Sequence, residues 1–219
     1  MLNGAGYARW IQKVSLPGLR TVDTSAGFKD RLIAAAGNVS HSHGPGGEHA
    51  HTGTAFTTWL DLSQAVRQAR TIAEALKRRR PGSTDLFEKN MHLLERDLLE
   101  LDSRMLQIVA RNPDQPLVAS HPVYQYLARA YGLNIKSVTW EPGEYPEPEQ
   151  WTWLERLLER HPAGWMIWEA KPNPRSVKRL HELGVSSLIF NPVSNRPDEG
   201  DFMQVMGRNL DYLEQAYRP

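Results

Sequence analysis

A chain of 219 residues with 40% hydrophobic content is long enough for one large core or two smaller ones. Its 26 basic and 25 acidic side chains leave a net charge of +1, which gives no electrostatic case for nucleic acid or a membrane surface as partner. Cysteine is absent, so thiol catalysis and disulfides are excluded, and no apolar run reaches the about 18 residues that a membrane helix needs.

Met1–Gly6 begins with a hydrophobic pair and then Asn3-Gly4-Ala5-Gly6, as though a strand had just ended. With no charged segment and no long apolar run there, no signal peptide is expected in this stretch. Tyr7–Ser15 predicts a short helix stopped by Pro17-Gly18, Arg20–Thr24 a short strand, and Phe28–Ala36 an irregular or helical stretch. The segment 39–53 places His41, His43, His49 and His51 among glycines and a proline. That is half of the chain's eight histidines, in a composition that predicts a loop. Asp61 or Ser63 caps a helix running to Arg80, with Val66, Ala69, Ile72, Ala73 and Leu76 on one face. Its basic end, Lys77 to Arg80, reads as cations at a helix C-terminus, where the macrodipole favours them.

The segment 85–111 is a single long helix by its pattern. Leu86, Met91, Leu94, Leu98, Leu101, Met105 and Ile108 keep an apolar stripe, Asp85 with Glu88 resembles a capping box, and Pro113 ends the run. Its length, roughly 40 Å at 1.5 Å per residue, exceeds what one small domain needs. The expected organisation is therefore an N-terminal lobe over 1–84, a connecting helix over 85–111 and a C-terminal α/β lobe over 112–219.

Beyond the long helix, strands and helices alternate. Strands are predicted at Leu117–Ser120, Ile135–Trp140, Trp165–Trp168 and Val185–Phe190. Helices follow at Pro122–Tyr131, Pro148–Arg160, Pro174–Leu183 and Phe202–Tyr217. Four βα units in a row mean a parallel sheet flanked by helices, with ligands bound beyond the carboxyl ends of its strands.

Chemistry is therefore sought at the strand ends. His121 directly follows a buried strand, which suits a functional imidazole as well as a structural one. Glu141 and Glu169 also end strands, as halves of an acid/base pair or as carboxylates holding proline-rich turns. No nucleophile elbow, Walker loop, dinucleotide fingerprint or HExxH zinc motif is present. The histidine loop offers clustered imidazoles that can take a divalent metal, weakly and with fast exchange because the backbone is flexible.

The order of these parts resembles the zinc/manganese solute-binding proteins of ABC importers, from residue 1 to 219. The resemblance rests on Leu2-Asn3-Gly4 with Trp10, the histidine-rich loop, and Thr57-Thr58-Trp59-Leu60-Asp61 (similar to HxWLD). It continues through the long helix, Ser120-His121-Pro122-Val123-Tyr124-Gln125-Tyr126 (similar to FHDAYGYF), Glu141-Pro142-Gly143 with Pro146, and Asn191-Pro192 (similar to DPLG). Met206, Asn209 and Leu210 match the closing helix.

The resemblance implies an α/β protein of two lobes with parallel sheets flanked by helices, joined by a long rigid helix, with the N-terminal lobe incomplete. It implies a divalent cation, zinc or alternatively manganese, as cargo, an ABC importer permease as partner, a periplasmic or extracytoplasmic location, and neither catalysis nor an organic cofactor. Ligand positions carry over to His121, Thr57 and Asn191, the last two altered from histidine and aspartate, while the family's first histidine has no counterpart. His41, His43, His49 and His51 would form an accessory metal loop. Two other readings stay open. One is a metal-independent binding module for a small ligand or a protein, its pocket lined by Trp140, Trp151, Trp153, Trp165 and Trp168. The other is an enzyme with His121 as base, Glu141 or Glu169 as partner and Asn191 as oxyanion donor.

Overall fold

The computed structural model describes residues 1–34, 40–42, 48–50 and 53–218. It divides into two compact units, Met1–Leu99 and Glu100–Pro219, and the division falls inside one uninterrupted helix.

Among its described residues, the first unit shows turns, two single bridges and one two-stranded antiparallel pair. Short 3₁₀ turns occupy Arg9–Lys13, Gly18–Arg20 and Ala26–Arg31. The strand expected at Arg20–Thr24 is reduced to one parallel bridge, Leu2 to Asp23, because the chain is still turning at Gly18–Arg20. An antiparallel bridge joins Ala34 to Thr54. In the histidine-rich segment, β1 (Ser40–Ser42) pairs antiparallel with β2 (Glu48–Ala50), which sets His41 opposite His49 in register. His43 and His51 lie outside the described residues. Parallel pairing in this unit thus comes down to the Leu2–Asp23 bridge among the described residues.

Gly4 shows why glycine stands beside that bridge. Its φ is +77°, and a Cβ there would lie 1.9 Å from Ser25 Oγ and 2.2 Å from Asp23 Oδ1. Helix α1 (Leu62–Arg79) starts at Asp61, whose carboxylate accepts from the Gln64 N–H, as its cap position predicts.

Helix α2 (Thr84–Val109) is the long helix of the sequence pattern, about 39 Å from end to end. Within the first unit, Arg70 pairs with Glu95, and Lys77 with Glu88 at 3.0 Å. Within the second, Arg104 pairs with Asp211 and Arg111 with Glu214, each at 2.7 Å, and Tyr131 donates to Asp102 at 2.6 Å.

The second unit follows the predicted alternation. Strand β3 (Pro116–Ala119) leads to α3 (Gln125–Tyr131), β4 (Asn134–Ser137) to α4 (Pro148–Arg160), β5 (Trp165–Trp168) to α5 (Pro174–Glu182), and β6 (Ser186–Ile189) to α6 (Phe202–Ala216). Gly132 closes α3 in the left-handed conformation at φ +70°, where a side chain would be strained. The strands pair in parallel in the order β4-β3-β5-β6. Leu117, Val118, Ala119, Met166, Ile167 and Trp168 are all fully buried, so both faces of the central pair are covered, as a parallel sheet requires. Trp140, Trp151 and Trp168 belong to one core cluster with Leu154 and Leu180, which makes these indoles core filling.

Candidate metal centre

The strand order sets where chemistry can gather. From β3 the chain crosses to β4 on one side and then returns to β5 on the other. The carboxyl ends of β3 and β5 therefore flank a topological switch point, the usual ligand crevice of an open parallel sheet.

His121 sits there, two residues beyond β3, with 1% of its surface exposed. Ladder bonds continue past the named strands and fix the tips: Ser120 N–H donates to Ile167 O at 2.8 Å, and Trp140 N–H to Ser120 O at 2.7 Å. Helix α3 starts only at Gln125, because Val123 N–H turns back to His121 O at 2.9 Å, so His121 is not its cap. The imidazole Nδ1 lies 3.1 Å from Trp140 O. A carbonyl can only accept, so this bond places the proton on Nδ1 and leaves Nε2 as the basic nitrogen.

Two carboxylates converge on this ring. Glu141 Oε1 is 3.8 Å from Nε2, and Glu169 Oε1 is 3.8 Å from Nδ1. One ligand atom from each of the three residues lies within 4.8 Å of the other two. Both glutamates are part-buried, at 23% and 21% side-chain exposure. Tyr124 completes the surroundings by donating to Phe190 O at 2.7 Å. Burial, and after it the Glu169 charge, pushes its phenol well above the ordinary range, so it remains a donor.

The other predicted positions are arranged differently. Thr57 is buried in the first unit, before the 3₁₀ turn Thr58–Leu60. Asn191 follows β6 in the second unit, and its Oδ1 accepts the Val193 N–H at 2.7 Å, supporting a turn in which Val193 has φ +54°. Asn209 clamps the same residue, accepting from Asn191 N–H at 2.9 Å and donating to Asn191 O at 2.7 Å. Of the histidine loop, the backbone of His41 and His49 is described as paired strand, and His43 and His51 lie outside the description. Sequence reasoning placed Glu141 and Glu169 at strand ends and joined one or the other to His121 only in the enzyme reading, not as part of a metal site. The signal was present, since all three follow parallel strands, but the order of those strands in the sheet is not written in any one segment.

The buried histidine His161 makes a useful contrast. Its Nε2 lies 2.9 Å from Leu117 O, at the opposite end of β3, where the ring fixes the start of the sheet.

The family described as ZnuA, zinc-uptake complex component A periplasmic, matches residues 1–216. The chain belongs to this family. The zinc-binding protein AdcA of Streptococcus pyogenes serotype M1 is 24% identical over 201 residues, which cover 83% of this chain and 38% of AdcA. The manganese ABC transporter substrate-binding lipoprotein PsaA of Streptococcus pneumoniae is 25% identical over 167 residues, 72% of this chain and 54% of PsaA. The crystal structure of the metal-dependent lipoprotein YcdH from Bacillus subtilis superposes with a TM-score of 0.78 at 18% identity, over 95% of this chain and 76% of that one, and so shares the fold. The chain thus spans about two-fifths of AdcA and about half of PsaA. Solute-binding proteins of metal importers are its relatives in both sequence and architecture, and the ZnuA-family strand tips are where its one close group of imidazole and carboxylates stands, among the described residues.

Proposed function

We propose that this ZnuA-family chain captures a divalent cation, zinc or alternatively manganese, outside the cytoplasm and delivers it to a membrane permease of an ABC importer. The observation that carries this reading is His121, buried at the switch point of the sheet with Nδ1 on a backbone carbonyl. Metal-binding imidazoles characteristically use one nitrogen for such an outer bond, which orients the other toward the ion and raises its basicity. In this reading His121 anchors the cation, Thr57 and Asn191 stand at the family's other ligand positions, and the histidine loop of His41, His43, His49 and His51 gathers ions in a looser second site. The chain then acts by binding and release, with no reaction catalysed and no organic cofactor.

Calorimetric titration of the full chain with Zn²⁺ and with Mn²⁺ tests the proposal. Saturable uptake that falls at least about tenfold in His121→Ala supports it. Absence of uptake by the unaltered chain, or unaltered affinity in His121→Ala, removes it. Deleting residues 41–51 is expected to lower total zinc uptake and leave the tighter phase in place; an unchanged isotherm takes the loop out of the account.

A further inference from the structure

We infer that Asn173 is a positioning residue: it straps together the loops on either side of β3 and so holds the Trp140 carbonyl against His121. The purpose of the strap rests on the cation-capture reading above, whereas its bonds belong to the second unit alone.

Sheet order shows what the strap crosses. β3 lies between β4 and β5, so the carboxyl ends of those two strands stand roughly 10 Å apart, two strand spacings. The chain leaves Trp140 in the loop 141–147 that leads to α4, and leaves Trp168 in the loop 169–173 that leads to α5. Asn173, closing the second loop, reaches the first twice. Its N–H donates to Pro142 O at 2.6 Å, and its Nδ2 to Gly143 O at 3.3 Å. These bonds bridge the gap beyond the tip of β3, the end that carries His121.

Side-chain chemistry shows that capping does not exhaust this residue. Asn173 Oδ1 accepts the Arg175 N–H at 2.9 Å, which caps α5. Only the amide oxygen can accept there, so the amino group is the one turned toward Gly143. Capping needs no more than that oxygen, and aspartate or serine supplies it equally well. The amino group is surplus to the cap and is used by the strap. The same loop is pinned further along, where Arg175 stands over the Tyr145 ring at 4.2 Å and Trp151 Nε1 donates to Pro146 O at 3.1 Å.

The strapped loop begins directly after the peptide that orients the imidazole. Trp140 O lies 3.1 Å from His121 Nδ1. On its amino side Trp140 is fixed by the ladder, through its N–H on Ser120 O at 2.7 Å. On its carboxyl side the next carbonyl but one is Pro142 O, which Asn173 holds. A loop released at Pro142 would let the Trp140 carbonyl turn away from the ring. Outer bonds of this kind set metal affinity by roughly 10–100-fold.

Two substitutions separate strap from cap. Asn173→Asp keeps the capping oxygen and loses the donor to Gly143 O. Asn173→Pro also removes the N–H on Pro142 O, and the native φ of −60° is one that proline adopts. Zinc affinity of the full chain, by competition against a chromophoric chelator, should fall about threefold in Asn173→Asp and about tenfold or more in Asn173→Pro. In the metal-free chain, solvent exchange of the His121 Nδ1–H proton, followed by NMR, should quicken in the same order, which loss of a helix cap alone would not produce. Thermal melts confirm folding; if Asn173→Pro does not fold, Asn173→Asp decides. Folded variants that keep the zinc affinity and the proton exchange of the unaltered chain would overturn the strap and leave cation capture standing. An unaltered chain that takes up no zinc defeats the capture reading instead. Proton exchange then decides the strap by itself: quickening sustains it, and equal rates overturn it.

Discussion

The two units solve the problem of backbone order by opposite means. In the second, a four-stranded parallel ladder with both central faces buried fixes the strand tips by main-chain bonds. In the first, the described residues show two single bridges and one short hairpin, and one side chain adds to the joining. Gln68 Nε2 donates to Asn3 Oδ1 at 2.6 Å, Asn3 O at 3.2 Å and Thr24 Oγ1 at 3.0 Å, and its Oε1 accepts from Thr58 Oγ1 at 3.2 Å. Three stretches remote in sequence thus meet on one buried amide, where a sheet would have shared the task among many peptides. A ladder tolerates the loss of any single side chain's polarity, whereas a hub does not.

Substitutions can break or sharpen this contrast. The largest effect is expected in the apolar core of the second unit. Leu154 is fully buried among Trp140, Trp151 and Trp168, so Leu154→Ala should cost about 3 kcal/mol, read from urea unfolding. A loss below about 1 kcal/mol would show that the core does not hold the sheet. Gln68→Leu comes next, at about 2 kcal/mol, because it keeps the volume but strands several buried polar partners. Its signature is local: amide hydrogen exchange should accelerate at Leu2 and Thr24, whose N–H groups close the Leu2–Asp23 bridge, and stay unchanged in β3 and β5. Uniform acceleration in both units would erase the distinction.

The smallest effect depends on pH. Burial pushes the phenol of Tyr217, which follows α6, up to about 12, above an unfolded value near about 10. The folded state therefore holds this proton more tightly, and the associated stability is complete below pH ~10 and is lost as pH rises toward about 12. Tyr217→Phe should flatten that alkaline decline by on the order of 1 kcal/mol, measured as the change in urea midpoint between neutral pH and pH ~11.5. An identical decline in both proteins would assign it to other groups.

Legibility in the sequence follows the same division. The second unit could be read almost element by element, since apolar runs, proline at helix starts and Gly132 are local signals; α4 and β5 fall on the predicted residues. The long helix was equally plain from its stripe. The first unit was harder, because the bonds of Gln68 join residues 65 apart in sequence and leave no periodicity. The site was half legible. His121 stood out by its place after a strand, but Glu141 and Glu169 approach it only because β4 and β5 flank β3, a fact of sheet order and not of spacing.

The bond from His121 to the Trp140 carbonyl ties two things usually treated apart. The Trp140 indole is wedged into the hydrophobic interior, 4.7 Å from the Trp151 ring and 6.1 Å from Trp168. The peptide that dictates which nitrogen carries the proton is thus immobilised by oily contacts on its other side. Repacking those indoles would retune the imidazole without touching it, and the ring's tautomer, read by nitrogen NMR, becomes a gauge of how tightly the interior is assembled.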